Sequence, residues 1–309
     1  MIYTITLNPA LDRTIEVDGL VADDANRILH EKRYAGGKGI DCSRVIEELG
    51  GESIALGFIG GYDGLELEGR LINEGVLCDF TRIGGETRVN IILNDRKQKT
   101  QIMLNAAGPR ITPAEIGLFF QKIRSLGRDA EFVIVSGSVP PGVNHNIYAQ
   151  IITTLTGKGI RVALDADGEL LRHGCGAKPF LIKPNIHEFQ RLTGLKSTAI
   201  GDLREKALHI VAEGIEIVLI SMGPKGILGV TTDESYIVIP PQVEAVSQVG
   251  AGDSALAGFI YGLSTKMGFR ESLILAAAAG TAAVMTPGTE LCKKKEVARM
   301  QKEVTIKKW

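Results

Sequence analysis

A regular alternation of short apolar strands with amphipathic helices, beginning near residue 110, constrains the fold more than any other feature of the chain. The strand patterns occupy residues 132–135, 161–164, 180–182 and 216–220, and the helix patterns occupy residues 113–127, 144–157 and 202–213. This alternation is typical of a parallel sheet with helices on both faces, so we expect an α/β fold. Each strand ends in a polar or glycine-rich cluster, which predicts a ligand site at the carboxyl edge of the sheet.

Composition excludes several classes of function. The chain has 309 residues, of which 44% are hydrophobic, enough for one large α/β domain or one domain with a small appendage. A net charge of −1 favours neither nucleic acid nor an anionic membrane as a partner. No apolar run approaches the roughly 18 residues of a membrane span, and the first residues lack the basic segment of a signal peptide. The four cysteines have no C-x-x-C spacing, so we expect neither disulfides nor zinc, and a cytoplasmic protein.

The stretch from Val246 to Phe259 is the strongest candidate for the ligand site. Gly250, Ala251 and Gly252 form a turn that would leave bare N–H groups at the start of a small-residue helix. Such a helix start suits a phosphate, and Asp253 in the first turn could take a proton from an incoming hydroxyl. The pattern therefore indicates phosphoryl transfer to an alcohol.

Two other interpretations of the same stretch stay open on its residues alone. Asp253 could only complement the helix dipole after a glycine turn. Residues 250–255 also satisfy the G-x-G-x-x-A dinucleotide pattern, which normally has an acidic residue about 20 positions on, at the end of the next strand. Here that residue, Glu271, lies in another helix pattern, which argues against a dinucleotide site.

Two loops in the first part of the chain are further candidates. After the strand pattern of residues 2–7, Asp12 could accept hydrogen bonds from substrate hydroxyls or serve only as a turn residue. The glycine turn of residues 36–39 precedes a helix predicted from about Cys42 to Leu49 and lacks Walker A spacing. It could bind a sugar or its phosphate through the backbone, or be a tight turn with Lys38 in solvent.

Two patterned segments, at about 13–34 and 86–105, predict the strands of a small sheet separate from the main core. Such a sheet would form a lid over the site. Arg88 on its inner face could grip a phosphate, although an exposed arginine on a half-buried strand is the alternative.

Two clusters later in the chain could serve a nucleotide. Asn185 and Glu188 follow a strand at a spacing that could hold Mg²⁺ directly or through water, or could form a helix capping box. Lys225 and Gly226 could touch a nucleotide phosphate or close a hairpin.

These motifs together resemble the PfkB-type sugar kinases of the ribokinase superfamily, and within them the 1-phosphofructokinase and tagatose-6-phosphate kinase branch. The markers of the resemblance are Thr6 to Thr14, Gly36 to Gly39, Glu86 to Arg88, Ser136 to Ser138, Lys183 to Asn185 with Glu188, and Gly250 to Asp253. The resemblance runs from Thr6 to about Thr289. It implies a single three-layer α/β/α ribokinase-like kinase domain over residues 1–309, with a mostly parallel central sheet and a small β-sheet lid.

The resemblance also implies a role for each marker. Asp253 would be the catalytic base, and the amides of Gly250, Ala251 and Gly252 would stabilise the transferring phosphoryl group. The residues implied to bind the phosphosugar are Asp12, Gly37, Lys38, Asp41, Arg88 and Ser138. Those implied to bind ATP are Lys183, Asn185, Ser221, Gly223, Lys225 and Gly226, with the small-residue helix around residues 276–283 nearby. Asn185 and Glu188 would orient Mg²⁺ through water, and two lids would pair in a homodimer.

Two departures from the family pattern concern the substrate. The family usually carries Asn where Asp41 stands, and Ser247-Gln248 is unusual before Val249. An acid at position 41 accepts hydrogen bonds from sugar hydroxyls but loses the amide donor. We expect an ATP- and Mg²⁺-dependent kinase that converts fructose 1-phosphate to fructose 1,6-bisphosphate, ahead of tagatose 6-phosphate or fructose 6-phosphate as acceptor. An unphosphorylated sugar or nucleoside as acceptor, and a non-catalytic binding protein, are the remaining alternatives.

Overall fold

The computed structural model describes residues 1–127 and 129–309. Its strands are β1 Ile2–Thr6, β2 Ala10–Val17, β3 His30–Gly36, β4 Ser53–Ile59, β5 Leu77–Cys78, β6 Thr81–Arg82, β7 Arg88–Asp95, β8 Thr100–Leu104, β9 Phe132–Ser136, β10 Arg161–Asp165, β11 Leu181–Ile182, β12 Ile217–Ser221, β13 Ile227–Val230, β14 Ser235–Ile239 and β15 Thr305–Lys308. Its helices are α1 Lys38–Leu49, α2 Gly61–Asn73, α3 Pro113–Ser125, α4 Ile147–Thr156, α5 Gly168–Gly176, α6 Ile186–Thr193, α7 Ile200–Ala212, α8 Ala251–Ser264, α9 Phe269–Val284 and α10 Lys294–Glu303, with a short 3₁₀ helix at Gly223–Lys225.

The large sheet has the strand order β15-β14-β13-β12-β11-β10-β9-β1-β4-β5, with β6 paired to β4. Every pairing from β12 through β1 to β4, β5 and β6 is parallel. The three pairings beyond β12 are antiparallel. The expected mostly parallel central sheet is therefore confirmed, with an antiparallel extension at one edge.

Strands from the two segments expected for a lid form a separate four-stranded sheet in the order β3-β2-β7-β8. In this small sheet β2 pairs antiparallel with β3 and parallel with β7, and β8 returns antiparallel along β7. Strand β8 is exposed along its whole length, whereas β2 and β7 each bury part of theirs. The small sheet thus has an open edge at β8.

Strand β9 shows how both faces of the large sheet are covered. Val133 and Val135 pack in the core beneath α3 to α7, while Phe132 and Ile134 pack in the core beneath α1, α8 and α9. Successive side chains of a strand point to opposite faces, so one apolar run supplies both cores. The result is the expected three-layer α/β/α arrangement. None of the described helices combines the length and the apolar character that crossing a bilayer requires.

The helices predicted at 113–127, 144–157 and 202–213 are confirmed as α3, α4 and α7, with ends within three residues of the prediction. The predicted start of α1 at Cys42 was wrong, because the helix begins at Lys38 and includes Gly39. A methyl group on Gly39 would lie 2.9 Å from the carbonyl oxygen of Ile5. Gly39 therefore allows α1 to pack closely on β1 and does not belong to a turn.

Candidate active site

The carboxyl ends of the parallel strands meet the start of α8. Asp165 is the last residue of β10, Lys183 directly follows β11, and Ser221 is the last residue of β12. Asp253 is the third residue of α8 and lies close enough to Asp165 and Lys183 for their charges to affect its pKa. The structure therefore brings together, at one edge of the sheet, the polar strand ends and the glycine turn.

Asp253 is almost fully enclosed, with 8% of its surface exposed. Burial raises the pKa of Asp253 to about 6, the carboxylates of Asp165 and Glu188 add to the rise, and the ammonium groups of Lys38 and Lys183 oppose it. Asp253 is thus mostly ionised at neutral pH but is a stronger base than an exposed aspartate. That is the state a general base needs.

The turn before Asp253 leaves the first backbone N–H groups of α8 without a side-chain cap. Gly250, the residue that caps α8, has φ +76°, and no side chain caps the first N–H groups of the helix. A methyl group on Gly250 would collide with the side chain of Leu291. A methyl group on Gly252 would instead lie 3.4 Å from the Nζ of Lys183. The amides of residues 250–252 and the Lys183 ammonium therefore border the same space, which suits an anion.

Asp165 links two of the predicted binding lysines. Its Oδ1 lies 3.2 Å from the Nζ of Lys38 and its Oδ2 lies 3.0 Å from the Nζ of Lys183. Burial alone would raise the pKa of Asp165, but the two ammonium groups hold it below its usual value. The alternative in which Lys38 points freely into solvent is wrong, because its side chain is tied to a buried carboxylate. Asp165 was not among the predicted site residues, although its place at a strand end was a signal for such a role.

Asp12 lies on β2, at the inner end of the small sheet. Its Oδ1 accepts a hydrogen bond from the Nδ2 of Asn90 at 2.8 Å, and a methyl group on Gly36 would collide with its carboxylate. Burial raises the pKa of Asp12, while Asn90 and Arg88 oppose the rise. Asp12 is therefore a buried strand residue and not a turn residue. Asn90, which sequence reasoning did not single out, fixes its carboxylate.

A cavity of about 520 Å³ opens between the small sheet and the large sheet. The side chains and loop residues that line it are Asn8, Arg88, Ala106, Ala107, Ser138, His145 and residues 139–143. The guanidinium of Arg88 donates hydrogen bonds of 2.8 Å to the carbonyl oxygens of Asn8 and Ala106. The Nδ2 of Asn8 reaches the Oγ of Ser138 at 3.4 Å. Arg88 is thus half-buried and oriented at the cavity, so the exposed-arginine alternative does not apply.

Gly37 and Asp41 flank the start of α1. Gly37 has φ +126° and is the residue before the helix, and its added methyl group would lie 2.8 Å from the Cγ2 of Thr6. Asp41, in the first turn of α1, is 5% exposed and lies near Asp12 and Asp253. The acid that departs from the family pattern therefore lies between the small sheet and the glycine turn.

The residues predicted to bind the nucleotide lie at the carboxyl ends of β11 and β12 or just beyond them. The Oδ1 of Asn185 accepts hydrogen bonds from the backbone N–H groups of His187 and Glu188, and the Oε2 of Glu188 accepts one from the backbone N–H of Asn185 at 2.7 Å. This is the capping box considered above, and it occupies the side-chain oxygen of Asn185. Ser221 forms a parallel bridge with Asn185, which places the two side by side.

The segment after Ser221 forms a tight connection. Gly223 to Lys225 make one 3₁₀ turn, and Gly226 has φ +97° where a methyl group would collide with the carbonyl of Val238. This turn joins the antiparallel strands β12 and β13, as the hairpin alternative anticipated. The alanines of residues 276–283 are buried against α8 in the core beneath the sheet.

Comparisons with known proteins show the family of the chain. Residues 5–296 match the model of the pfkB family carbohydrate kinases. The chain is 34% identical over 292 residues to the 1-phosphofructokinase of Bacillus subtilis, covering 94% of this chain and 95% of the relative. It is 33% identical over 307 residues to the 1-phosphofructokinase of Borreliella burgdorferi, covering 99% and 98% of the two chains.

A solved structure shares the whole architecture. The phosphofructokinase-2 of Escherichia coli, crystallised in complex with potassium, superposes with a TM-score of 0.93 at 30% identity, covering 98% of each chain. The match includes the smaller sheet as well as the large one, because it covers almost the whole of both chains. The chain therefore has a ribokinase-like α/β fold and belongs to the pfkB family of carbohydrate kinases.

Proposed function

We propose that this kinase transfers the γ-phosphoryl group of ATP to a phosphorylated ketohexose, with fructose 1-phosphate as the leading acceptor. The observation that carries the proposal is the buried Asp253 at a bare helix start, with Lys183 bordering the same space. The relatives named 1-phosphofructokinase at 34% and 33% identity support the choice of acceptor.

The chemical step needs a base and a place for negative charge. The carboxylate of Asp253 accepts the proton of the attacking hydroxyl, and its raised pKa favours that transfer. The amides of residues 250–252 and the ammonium of Lys183 offset the charge on the transferring phosphoryl group. Asp165 keeps Lys183 in place because it holds the lysine in a buried ion pair.

The acceptor site lies on the side of the small sheet. Arg88 and Ser138 line the cavity and would bind the phosphate already on the sugar. Asp12 and Asp41 supply carboxyl groups for sugar hydroxyls, while Gly37 and Lys38 close the site from the start of α1. The four-stranded sheet would then act as the lid, since it carries both Asp12 and Arg88.

The nucleotide would lie along the other side of the glycine turn, with Lys183, Asn185, Ser221, Gly223, Lys225 and Gly226 as its binding residues. Among the described residues no group of three or more acidic, histidine or cysteine side chains is placed to hold a metal ion. The donor set nonetheless fits Mg²⁺ that keeps its waters, because Glu188 offers one carboxylate oxygen, its Oε2 being engaged with the N–H of Asn185, and nucleotide phosphates would supply further oxygens. Since the oxygen of Asn185 is occupied by the cap, Asn185 would act through water or through its amide group. The ion, when bound, would neutralise charge on the β- and γ-phosphates.

Other acceptors are the alternatives. Fructose 6-phosphate is favoured by the likeness to the phosphofructokinase-2 of Escherichia coli, which has been crystallised with fructose 6-phosphate, and tagatose 6-phosphate by the family branch. An unphosphorylated sugar or a nucleoside would leave the Arg88 cavity without an anionic partner, so the cavity argues against it. A binding protein without turnover would not need a buried base, Asp253, beside the amides of residues 250–252, so this pairing argues against that alternative.

We also propose a homodimer formed through the small sheet. Strand β8 is an open edge, and its Ile102, Met103 and Leu104 are 41%, 47% and 55% exposed. A strand with exposed apolar side chains and unpaired backbone groups favours pairing with another chain. The double substitution Ile102→Lys and Leu104→Lys should convert a dimer into a monomer of 33.1 kDa in light scattering. If the unsubstituted chain is already a monomer, the dimer proposal fails.

The identity of the product tests the acceptor. The chain is incubated with ATP, Mg²⁺ and fructose 1-phosphate, and the products are followed by ³¹P NMR. Consumption of the 1-phosphate signal with growth of two equal phosphate signals of fructose 1,6-bisphosphate supports the proposal. ADP formation without a bisphosphate would show ATP hydrolysis only and would contradict it.

A further inference from the structure

Asp41 is a buried acid with one carboxylate oxygen that none of the described residues satisfies. The residue lies in the first turn of α1 and is 5% exposed. Its Oδ1 is shielded from solvent and has no hydrogen-bond partner within the described chain. An unpaired buried carboxylate carries a large desolvation cost, whereas the neutral acid carries a much smaller one.

Arg44 is the cation beside Asp41, but its hydrogen bonds go to other groups. Its Nη1 lies 3.5 Å from the Oδ1 of Asp41, too far for a good hydrogen bond, and donates to the carbonyl oxygen of Thr289 at 3.0 Å. Its Nε donates to the Oε2 of Glu74 at 2.6 Å. The carboxylate of Glu74 therefore offsets part of the attraction that Arg44 exerts on an ionised Asp41.

The other charged groups that face Asp41 are acids. Asp253 approaches it from α8 and Asp12 from β2, while Arg44 is on its own helix. Burial, and next Asp253, raise the pKa of Asp41 well above its ordinary value, and Arg44 only partly opposes this. Lys38, one turn earlier on α1, is held by Asp165 on the other side of the site. The position of Asp41 and the charges around it both favour the neutral, protonated carboxylic acid.

Resting on the proposed function, we propose that Asp41 enters the sugar site as a carboxylic acid, whose O–H donates a hydrogen bond to one sugar hydroxyl while its C=O accepts from another. A neutral acid presents one donor together with acceptors, as a side-chain amide does. It also adds no charge beside Asp253 or beside the phosphate of an anionic acceptor. Asp41 would thus determine specificity for a pair of neighbouring hydroxyls on a phosphosugar.

The proposal predicts an alkaline limit on sugar binding. When Asp41 loses its proton, the donor is lost and a third carboxylate faces Asp12 and Asp253. The KM for the sugar should then rise by about tenfold for each pH unit above that ionisation, as expected for one essential proton. In Asp41→Asn the amide keeps a donor and an acceptor at every pH, so this alkaline limb should vanish.

The decisive experiment has one readout that needs no turnover. Infrared difference spectra between the unsubstituted chain and Asp41→Asn are recorded at neutral pH, where a carboxylic acid C=O band assigns the proton to Asp41. The matched control is Asp95→Asn. Asp95 is a buried acid of the small sheet whose pKa is lowered by backbone N–H groups, that of Leu20 above all, and it should show no such band.

Each outcome decides the question. The acid band together with a missing alkaline limb in Asp41→Asn supports the proposal. Absence of the band, or a KM at pH 7 raised more than about tenfold in Asp41→Asn, would show that an ionised Asp41 binds the sugar and would overturn it. If the band is present but no phosphosugar is phosphorylated, the proposed function fails while the protonation state of Asp41 stands.

Discussion

The Nζ of Lys183 lies 3.0 Å from the Oδ2 of Asp165, and both side chains are almost completely buried. Buried ion pairs are weak stabilisers, because desolvation of the two charges offsets most of their attraction. This pair sits against Gly252, where the bare amides of α8 begin. We therefore expect the pair to serve the proposed site, by holding the Lys183 ammonium where a phosphate would bind.

Substitution of Lys183 by Met tests that role. We expect kcat to fall by about 10²–10³, since a fixed charge that stabilises the transferring group is lost. Asp165 keeps Lys38 as a partner at 3.2 Å, so the chain should still fold. Steady-state kinetics and thermal melts are compared with Lys196→Met, a change at an exposed lysine. Unchanged kcat in a folded Lys183→Met protein would remove Lys183 from the mechanism.

Asp253→Asn removes the proposed base without altering shape. We expect kcat to fall by about 10²–10⁴, the usual contribution of a general base. ATP binding, measured by calorimetry, should stay within about twofold of the unsubstituted chain, because the amides of the glycine turn remain. Asp233→Asn, at an exposed turn, serves as the control. Near-normal turnover in Asp253→Asn would disprove the assignment of the base.

The two glycines of the turn should respond in opposite ways. Gly252→Ala adds a methyl group 3.4 Å from the Nζ of Lys183, a distance that the fold accommodates, so the melting temperature should stay the same. We expect kcat to fall, because the methyl group covers the space between Lys183 and the amides of residues 250–252. Gly250→Ala forces a positive φ and a collision with Leu291, so it should lower the melting temperature. Melting curves and kinetics on both proteins separate the effects. Full activity in a stable Gly252→Ala protein would argue against phosphate at this turn.

The pH profile should show the ionisation of Asp253. Its pKa is raised to about 6, and the base acts only when ionised, so kcat/KM should fall as pH drops through that value. Lys38 opposes the rise, so Lys38→Met should move this acidic limb to higher pH as well as weaken sugar binding. Ionisation of the substrate phosphate affects both proteins equally and cancels in the comparison. A limb that stays in place would mean that it does not report Asp253.

Arg88→Ala should weaken phosphosugar binding. Loss of one charge-assisted contact costs about 1.5–3 kcal/mol, so KM for the sugar should rise by roughly 10- to 150-fold with KM for ATP unchanged. Arg96→Ala, at the exposed tip of the same sheet, is the matched control. The finding of an unaltered sugar KM would place the phosphate away from the cavity of Arg88.

The helices and strands with clear apolar periodicity could be predicted from the sequence, but the start of α1 and the whole of α5, where glycines interrupt the apolar pattern, could not. Helix α5 escaped prediction because its nine residues include Gly174 and two further glycines. A methyl group at Gly174 would collide with the side chain of Leu164, so this glycine provides close packing on β10. Gly39 does the same for α1 against β1. Sequence alone does not distinguish such a packing glycine from a turn glycine.

The parts of the candidate site that are formed by short, continuous sequence motifs could be predicted. The turn of residues 250–253 lies at the start of α8, as its spacing indicated. The partners that orient the motif residues come from other strands, and local spacing contains no information about them. Asp165 and Asn90 therefore emerged only once the sheets brought them to Lys183 and to Asp12.

The acceptor preference is the most direct test of the central claim that the Asp253 site phosphorylates a sugar that already carries a phosphate. We would measure ADP release with Mg-ATP and compare kcat/KM for fructose 1-phosphate, fructose 6-phosphate, tagatose 6-phosphate, free fructose and ribose. The account predicts turnover confined to the phosphosugars, with the highest kcat/KM for fructose 1-phosphate. A higher kcat/KM for free fructose or ribose than for any phosphosugar would contradict it.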